Sequence, residues 1–211
     1  MKSLLIDTSS QMLSIAINEN NEVIAEINTN VKVNHSETLM VYIDQLFKIA
    51  RLERSDIDRI ITARGPGSYT GLRIGATVSK VLAHQLNIPL YSVSSLFAMY
   101  VSSGITNKPV YPIIDARRGT VFTAGYYNQD VVLEPQHMEF SSLKQDDTAI
   151  IIGTLSEKIS SSIEGFRHVQ TRIADVERFE AQLKQEDIHG FVPEYLRLSE
   201  AEANWKLQSE Q

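Results

Sequence analysis

The stretch Leu4-Leu5-Ile6-Asp7-Thr8-Ser9-Ser10-Gln11-Met12-Leu13-Ser14-Ile15-Ala16-Ile17 decides the fold. Leu4 to Asp7 is a short apolar run that reads as a buried strand, and Thr8 to Gln11 is a turn. Leu13, Ile15 and Ile17 then alternate as one face of a second strand. The turn-forming cluster Asn18-Glu19-Asn20-Asn21 leads into Val23 to Ile27, a third strand. Further along, the pattern restarts. Val110 to Asp115 ends, like the first strand, in Ile-Asp, and Ala116 to Gly119 turns into Thr120 to Tyr127. Asn128-Gln129-Asp130 then turns into Val131 to Leu133. Two halves that each open strand–turn–strand–turn–strand, with Asp7 and Asp115 in matching places, point to an internal duplication. Two hairpins that look alike by chance are the plainer alternative.

Outward from these openings, the spacing predicts a helix over Ser36 to Leu52 with Ser36 as N-cap, and a strand over Ile57 to Ala63. A second helix is expected from Thr70 to Leu86, a strand from Pro89 to Val93, and a short helix to Val101 capped by Ser94-Ser95. Ser102-Ser103-Gly104 and Lys108-Pro109 read as a hinge, which places two lobes at residues 1–103 and 104–211. The segment from about 191 is expected to pack back on the first lobe. The second lobe reads as a weaker helix after Leu133, a strand over Ala149 to Ile152, and helices near 155–163 and 174–184.

Composition bounds the function. The 211 residues are 43% apolar and 22% charged, as expected of a folded globular chain rather than a disordered one. The formal net charge is -6, which argues against free-standing, salt-driven nucleic-acid binding. With no cysteine, disulfides, thiol nucleophiles and thiolate zinc sites are excluded. Asp7 interrupts the apolar N-terminus, and no run is long enough to span a bilayer, so a cytoplasmic location is expected.

Arg64-Gly65-Pro66-Gly67-Ser68-Tyr69-Thr70-Gly71-Leu72-Arg73-Ile74-Gly75 is the most unusual segment. Its glycines fit neither a P-loop nor G-x-G-x-x-G. It delivers Ser68 or Thr70 to a helix N-terminus, either to cap it or to help hold an anion there. Gly71, Gly75, Ser79 and Ala83 recur every four residues, and glycine inside a helix costs about 1 kcal/mol relative to alanine. A stripe of this kind suggests the close approach of another backbone. The first helix carries a similar surplus in Leu39, Met40, Ile43 and Phe47. An interface built from His35, Leu39, Met40, Ile43, Phe47, Gly71, Arg73, Gly75, Ser79 and Ala83 is therefore expected, against the alternative that both helices are buried on two sides within their own lobe. On the interface reading, Gly75→Leu breaks a complex while the isolated chain stays folded.

Asp7, Thr8, Ser9 and Asp115 could hold residual nucleotide phosphate and a magnesium ion between the lobes. Ordinary turn chemistry explains the same residues. Arg64, Arg73, Arg117 and Arg118 could meet phosphates or pair with surface carboxylates. Four residues after His35 stands Leu39, and the other histidines show no paired spacing, so no metal site is expected.

Leu5-Ile6-Asp7-Thr8-Ser9, Asn34-His35-Ser36-Glu37-Thr38-Leu39, Gly65 to Gly75, Val93-Ser94-Ser95-Leu96 and Ile114-Asp115-Ala116-Arg117-Arg118-Gly119 occur in this order. With a weaker echo in Pro193-Glu194-Tyr195-Leu196-Arg197, they resemble the bacterial TsaB family, glycoprotease-like proteins of tRNA threonylcarbamoyladenosine biosynthesis. The resemblance implies an α/β, actin-like (ASKHA) fold of two related βββαβα-type lobes, the second reduced. It implies a non-catalytic partner of the paralogue TsaD that acts with TsaD and the ATPase TsaE in modifying adenosine 37 of tRNAs reading codons that begin with A. Helices of the first lobe would bind TsaD or a second copy, giving a homodimer in isolation. ATP or ADP and a metal would belong to the partner complex, with none held by this chain, and tRNA would be met only through that complex. TsaD carries a metal-binding His-x-x-x-His whose positions correspond to His35 and Leu39, so the metal and the chemistry are expected to be absent. The alternatives are an ATP-dependent small-molecule kinase of the same superfamily, which would need an adenosine-seating Gly-Gly motif, and a metallopeptidase, which would need a metal site.

Overall fold

The strands β1 (Lys2–Asp7), β2 (Ser14–Glu19) and β3 (Glu22–Asn28) form an antiparallel meander, and β4 (Arg59–Gly65) and β5 (Leu90–Ser94) extend it in parallel from β1. The computed structural model describes residues 1–29, 34–143, 148–155, 160, 161 and 163–197. A second sheet repeats the plan. Strands β6 (Val110–Asp115), β7 (Thr120–Tyr127) and β8 (Asp130–Glu139) form the meander, and β9 (Ile150–Gly153) and β10 (Arg167–His168) run parallel to β6. The orders β3-β2-β1-β4-β5 and β8-β7-β6-β9-β10 match strand for strand, as a duplicated α/β unit requires.

The alternation of side chains across each strand explains why these segments are almost continuously apolar. Leu4, Ile6, Ile15, Ile17 and Ile60 face one side, where they meet α1 (His35–Ala50) and α2 (Tyr69–Leu86). Leu5, Ala16 and Ile61 face the other side. There they join α3 (Ser95–Ser102) and Val110, Ala124, Tyr126 and Ile152 of the second sheet in one shared core. Tyr126 stacks on Tyr100 with ring centres 4.9 Å apart, and burial pushes its phenol up to about 12, so it stays protonated in this core. A smaller cluster of Ile113, Val121, Ile151, Leu155 and Ile163 covers the far side of the second sheet.

Local signals set the helix limits. Arg51 and Asn87, both left-handed, end α1 and α2. Ser68 caps α2 by accepting the Gly71 N–H, and Ser94 caps α3 by accepting that of Phe97. Asn34, not Ser36, is the N-cap residue of α1. Ser36 stands two residues later, already inside the helix, and its hydroxyl donates to the Asn34 side chain at 2.7 Å.

Two expectations for the second half need correction. After Leu133 the chain continues as β8 instead of forming a helix, because Gln136, His137 and Met138 pair with Thr123, Phe122 and Val121. Residues 140–142 then make a 3-10 turn, and 144–147 lie outside the described residues. Residues 173–178 and 180–182 are 3-10 turns rather than one α-helix. Ile173, Ala174 and Val176 enter the shared core, and Glu177 among them pairs with Arg59. A further strand, β11 (Lys184–Glu186), then pairs antiparallel with β5 at the edge of the first sheet. The helix expected near 155–163 falls largely on 156–159 and 162, outside the described residues.

A charge network fastens this return. Arg59, on β4, is 3% exposed, and Glu177 is 1% exposed. Arg59 donates to Ser3 Oγ at 2.7 Å, to Glu177 at 3.2 Å and to both Glu180 oxygens at 2.6 and 2.9 Å. Glu177 also accepts the Ser3 hydroxyl, and the Asn21 amide at 3.1 Å. The buried carboxylate and guanidinium are thus paired and hydrogen-bonded on several sides, the condition for charge to be tolerated in a core.

Candidate functional site: the crevice at the strand ends

In parallel α/β sheets, ligands sit beyond the carboxyl ends of the strands. Here those ends are Asp7 on β1, Gly65 on β4 and Asp115 on β6. The two aspartates make the same local turn. Asp7 Oδ1 accepts the Ser9 amide at 2.8 Å, and Asp115 Oδ1 accepts the Arg117 amide at 2.7 Å. Each is an Asx turn that follows a strand, which is the turn-chemistry reading. They differ in environment: Asp7 is 4% exposed, whereas Asp115 is exposed. Burial raises the Asp7 carboxyl above the ordinary range, and bonds from Ser9 and the charge of His35 only partly pull it back.

A raised acid binds its proton more tightly in the folded state, so stability is lost as pH rises from the unfolded value through the folded one. Asp7→Asn keeps the acceptor oxygen and removes that charge. The variant is expected to melt higher than wild type at pH 7, with the gap closing as pH falls toward the ordinary carboxylate range. A gap that stays constant with pH would mean that Asp7 is not the titrating group.

The start of α2 rests directly on the turn after β1. Ser68 N–H donates to Ser9 O at 2.7 Å, and the Thr8 hydroxyl donates to Gly71 O at 2.8 Å. A methyl group added at Gly67 would lie 2.3 Å from Ser9 O; at Gly71, 2.1 Å from Thr8 O; and at Gly75, 2.3 Å from Thr8 Oγ1. No side chain fits at these distances. The glycines therefore let the helix lie against backbone, and that backbone belongs to the same chain.

This corrects the expected interface. Gly71, Gly75, Ser79 and Ala83 face inward, and the buried hydroxyl of Ser79 has no hydrogen-bond partner among the described residues. Leu39, Ile43 and Phe47 lie in the core of the first lobe, and His35 is buried with Nε2 donating to Ser10 O at 2.8 Å. Of the expected set, only Met40 and Arg73 remain exposed. What the helices present to solvent includes the apolar side chains of Met40, Val41 and Ile49 on α1 and Val81 on α2, interspersed with polar ones such as Asp44, Gln45, Lys48 and Thr77. Gly75→Leu would strike Thr8 and disturb the isolated chain, so it is no probe of an interface.

The C-terminal segment closes over the crevice. Phe191 is buried in the first core, and Lys80 of α2 donates to the carbonyls of His189 and Phe191 at 3.0 Å each. Glu194 N–H bonds Arg64 O at 2.7 Å, its carboxylate pairs with Arg64 at 3.0 Å, and its carbonyl lies 2.6 Å from where a Gly65 Cβ would be. Tyr195 packs on Tyr69 with ring centres 4.7 Å apart, and Arg73 lies against the same ring at 4.1 Å. Arg197 then reaches Ala116 O, at the end of β6, at 3.0 Å. The strap thus engages Arg73 on α2 and Arg64 at the end of β4, and crosses to the turn of the second lobe at Ala116. An open cavity of about 490 Å³ lies beside it, lined by Arg64, Lys184, Glu186, Gly190, Phe191, Val192 and Glu194. The Pro193–Arg197 motif and the return of this segment to the first lobe are legible in the sequence, but the individual partner residues are not.

No group of three or more metal-ligating side chains occurs among the described residues. No described helix is long and apolar enough to cross a membrane.

Residues 22–148 match the family model of TsaD, tRNA N6-adenosine threonylcarbamoyltransferase. Over nearly its whole length the chain aligns with the tRNA threonylcarbamoyladenosine biosynthesis protein TsaB of Bacillus subtilis, at 34% identity over 97% of this chain and 98% of that one. The chain belongs to the TsaB family. The Escherichia coli TsaB is 30% identical over 62% of this chain and 57% of its own. A Pseudomonas aeruginosa crystal structure, of a protein with similarity to peptidase YeaZ, superposes with a TM-score of 0.78 at 21% identity, covering 93% of this chain and 99% of that one. That likeness carries the fold, an α/β arrangement of two matching sheets. Membership of the TsaB family places the chain in the formation of threonylcarbamoyladenosine on tRNA.

Proposed function

We propose that the chain is a non-catalytic accessory subunit that binds and activates its paralogue TsaD in threonylcarbamoylation of tRNAs reading codons that begin with A. The observation that carries this reading is how much of the crevice the chain's own residues occupy. Where a catalytic relative of the same fold would seat its ligand, Thr8 and Ser9 already touch Gly67, Ser68, Gly71 and Gly75, and residues 193–197 run across the end of β4. The same filling argues against the kinase alternative. On this account the chain holds no cofactor of its own. ATP or ADP and a metal belong to the complex with TsaD and TsaE, and tRNA is met only there.

The docking face is the apolar residue set that α1 and α2 leave in solvent. Met40, Val41, Ile49 and Val81 are 39%, 52%, 61% and 53% exposed. In the absence of TsaD, the same face pairs with a second copy of the chain. A Met40→Glu, Val81→Glu double variant is expected to fold with unchanged melting temperature, because both sites are exposed. It should lose about 2 kcal/mol or more of binding to TsaD, read as a thirtyfold or greater rise in Kd by titration calorimetry. An unchanged Kd would place the contact elsewhere.

A further inference from the structure

His84 and His189 stand far apart in sequence and show no ligand spacing, but the strap brings them together. Their ring centres are 5.3 Å apart with the planes at 67°. Two imidazoles that share a tetrahedral ion, each bonded at about 2.0–2.1 Å, have ring centres about 5 Å apart. We infer that His84 and His189 form a two-histidine site for a divalent transition ion, zinc or copper, which clasps the strap to α2.

Both rings are exposed at a place whose backbone is held from several sides. The Asp187 carboxylate accepts the amides of His189 and Gly190 at 3.3 and 2.9 Å, and Asp187 O accepts the Phe191 amide at 2.8 Å. Lys80 holds the His189 carbonyl, and the buried Phe191 anchors the segment two residues on. His189 is thus positioned before any ion arrives, which lowers the ordering cost of binding. His84 lies in the last turn of α2, where the helix dipole favours a cation. The Lys80 ammonium and the Asp187 carboxylate, both bonded to the His189 backbone, offset one another. Imidazole suits zinc and copper, and water completes the coordination.

The test uses the full chain without a histidine tag, titrated with Cu²⁺ and Zn²⁺ by calorimetry, with electron paramagnetic resonance of the copper form. The expected result is one ion per chain with nitrogen hyperfine structure from two imidazoles. Affinity should fall at least about tenfold in His84→Ala and in His189→Ala, while His168→Ala binds as wild type. Zinc should also slow amide exchange over residues 189–197 in wild type and in neither clasp variant. Binding that both clasp variants leave unchanged, or a copper spectrum with a single nitrogen ligand, would overturn the assignment.

Discussion

Glu177→Ala is expected to lower the stability of the chain by about 3–5 kcal/mol, read as a large drop in the denaturant midpoint. The loss comes from what is left behind. Arg59 is 3% exposed, and its guanidinium would remain in the core with only the half-exposed Glu180 as counter-charge. Ser3 and the Asn21 amide would each lose an acceptor as well. Glu180→Ala serves as the comparison: its carboxylate is 55% exposed, and water replaces most of what it gives. If Glu177→Ala and Glu180→Ala cost the same, the buried pair does not fasten the C-terminal return as described.

The second large effect concerns the glycines of α2. Alanine in place of glycine inside a helix ordinarily gains about 1 kcal/mol, yet Gly71→Ala and Gly75→Ala are both expected to lose about 1–3 kcal/mol through overpacking. The two sites differ in what they strike. At Gly71 the obstacle is the Thr8 carbonyl oxygen, which is backbone; at Gly75 it is the Thr8 hydroxyl. Thr8→Ala should therefore rescue much of the Gly75→Ala loss and little of the Gly71→Ala loss. This double-mutant cycle in thermal melts separates an intramolecular contact from an intermolecular one. Equal coupling of Thr8 to both sites, or none to either, would contradict the packing of α2 on the β1 turn.

The duplication was legible because it is written in local pattern. Val110 to Asp115 repeats the run that ends at Asp7, and the observed strands β6 and β7 begin and end where the alternation does. The caps at Ser68 and Ser94 were legible for the same reason. The small-residue stripe marks a site of close backbone approach, and of the two partners its spacing allows, another molecule or the same lobe, the structure shows the second. Periodicity shows that something must come close, and it is silent on whether that backbone lies in the same chain. Residues 134–139 and 173–186 misled because tertiary contacts decide them: pairing with β7 in one case, core anchors and the Arg59–Glu177 pair in the other. The strap and the His84–His189 pair depend on contacts between distant segments, which no spacing rule reads.

Mass spectrometry of tRNA nucleosides from cells depleted of this chain tests the central claim most directly. The account predicts that threonylcarbamoyladenosine disappears on depletion and returns with the wild-type chain. It should not return with the Met40→Glu, Val81→Glu variant, although that variant accumulates as folded protein. Full restoration by the variant would contradict the docking face, and an unchanged level of the nucleoside under complete depletion would contradict the accessory role itself.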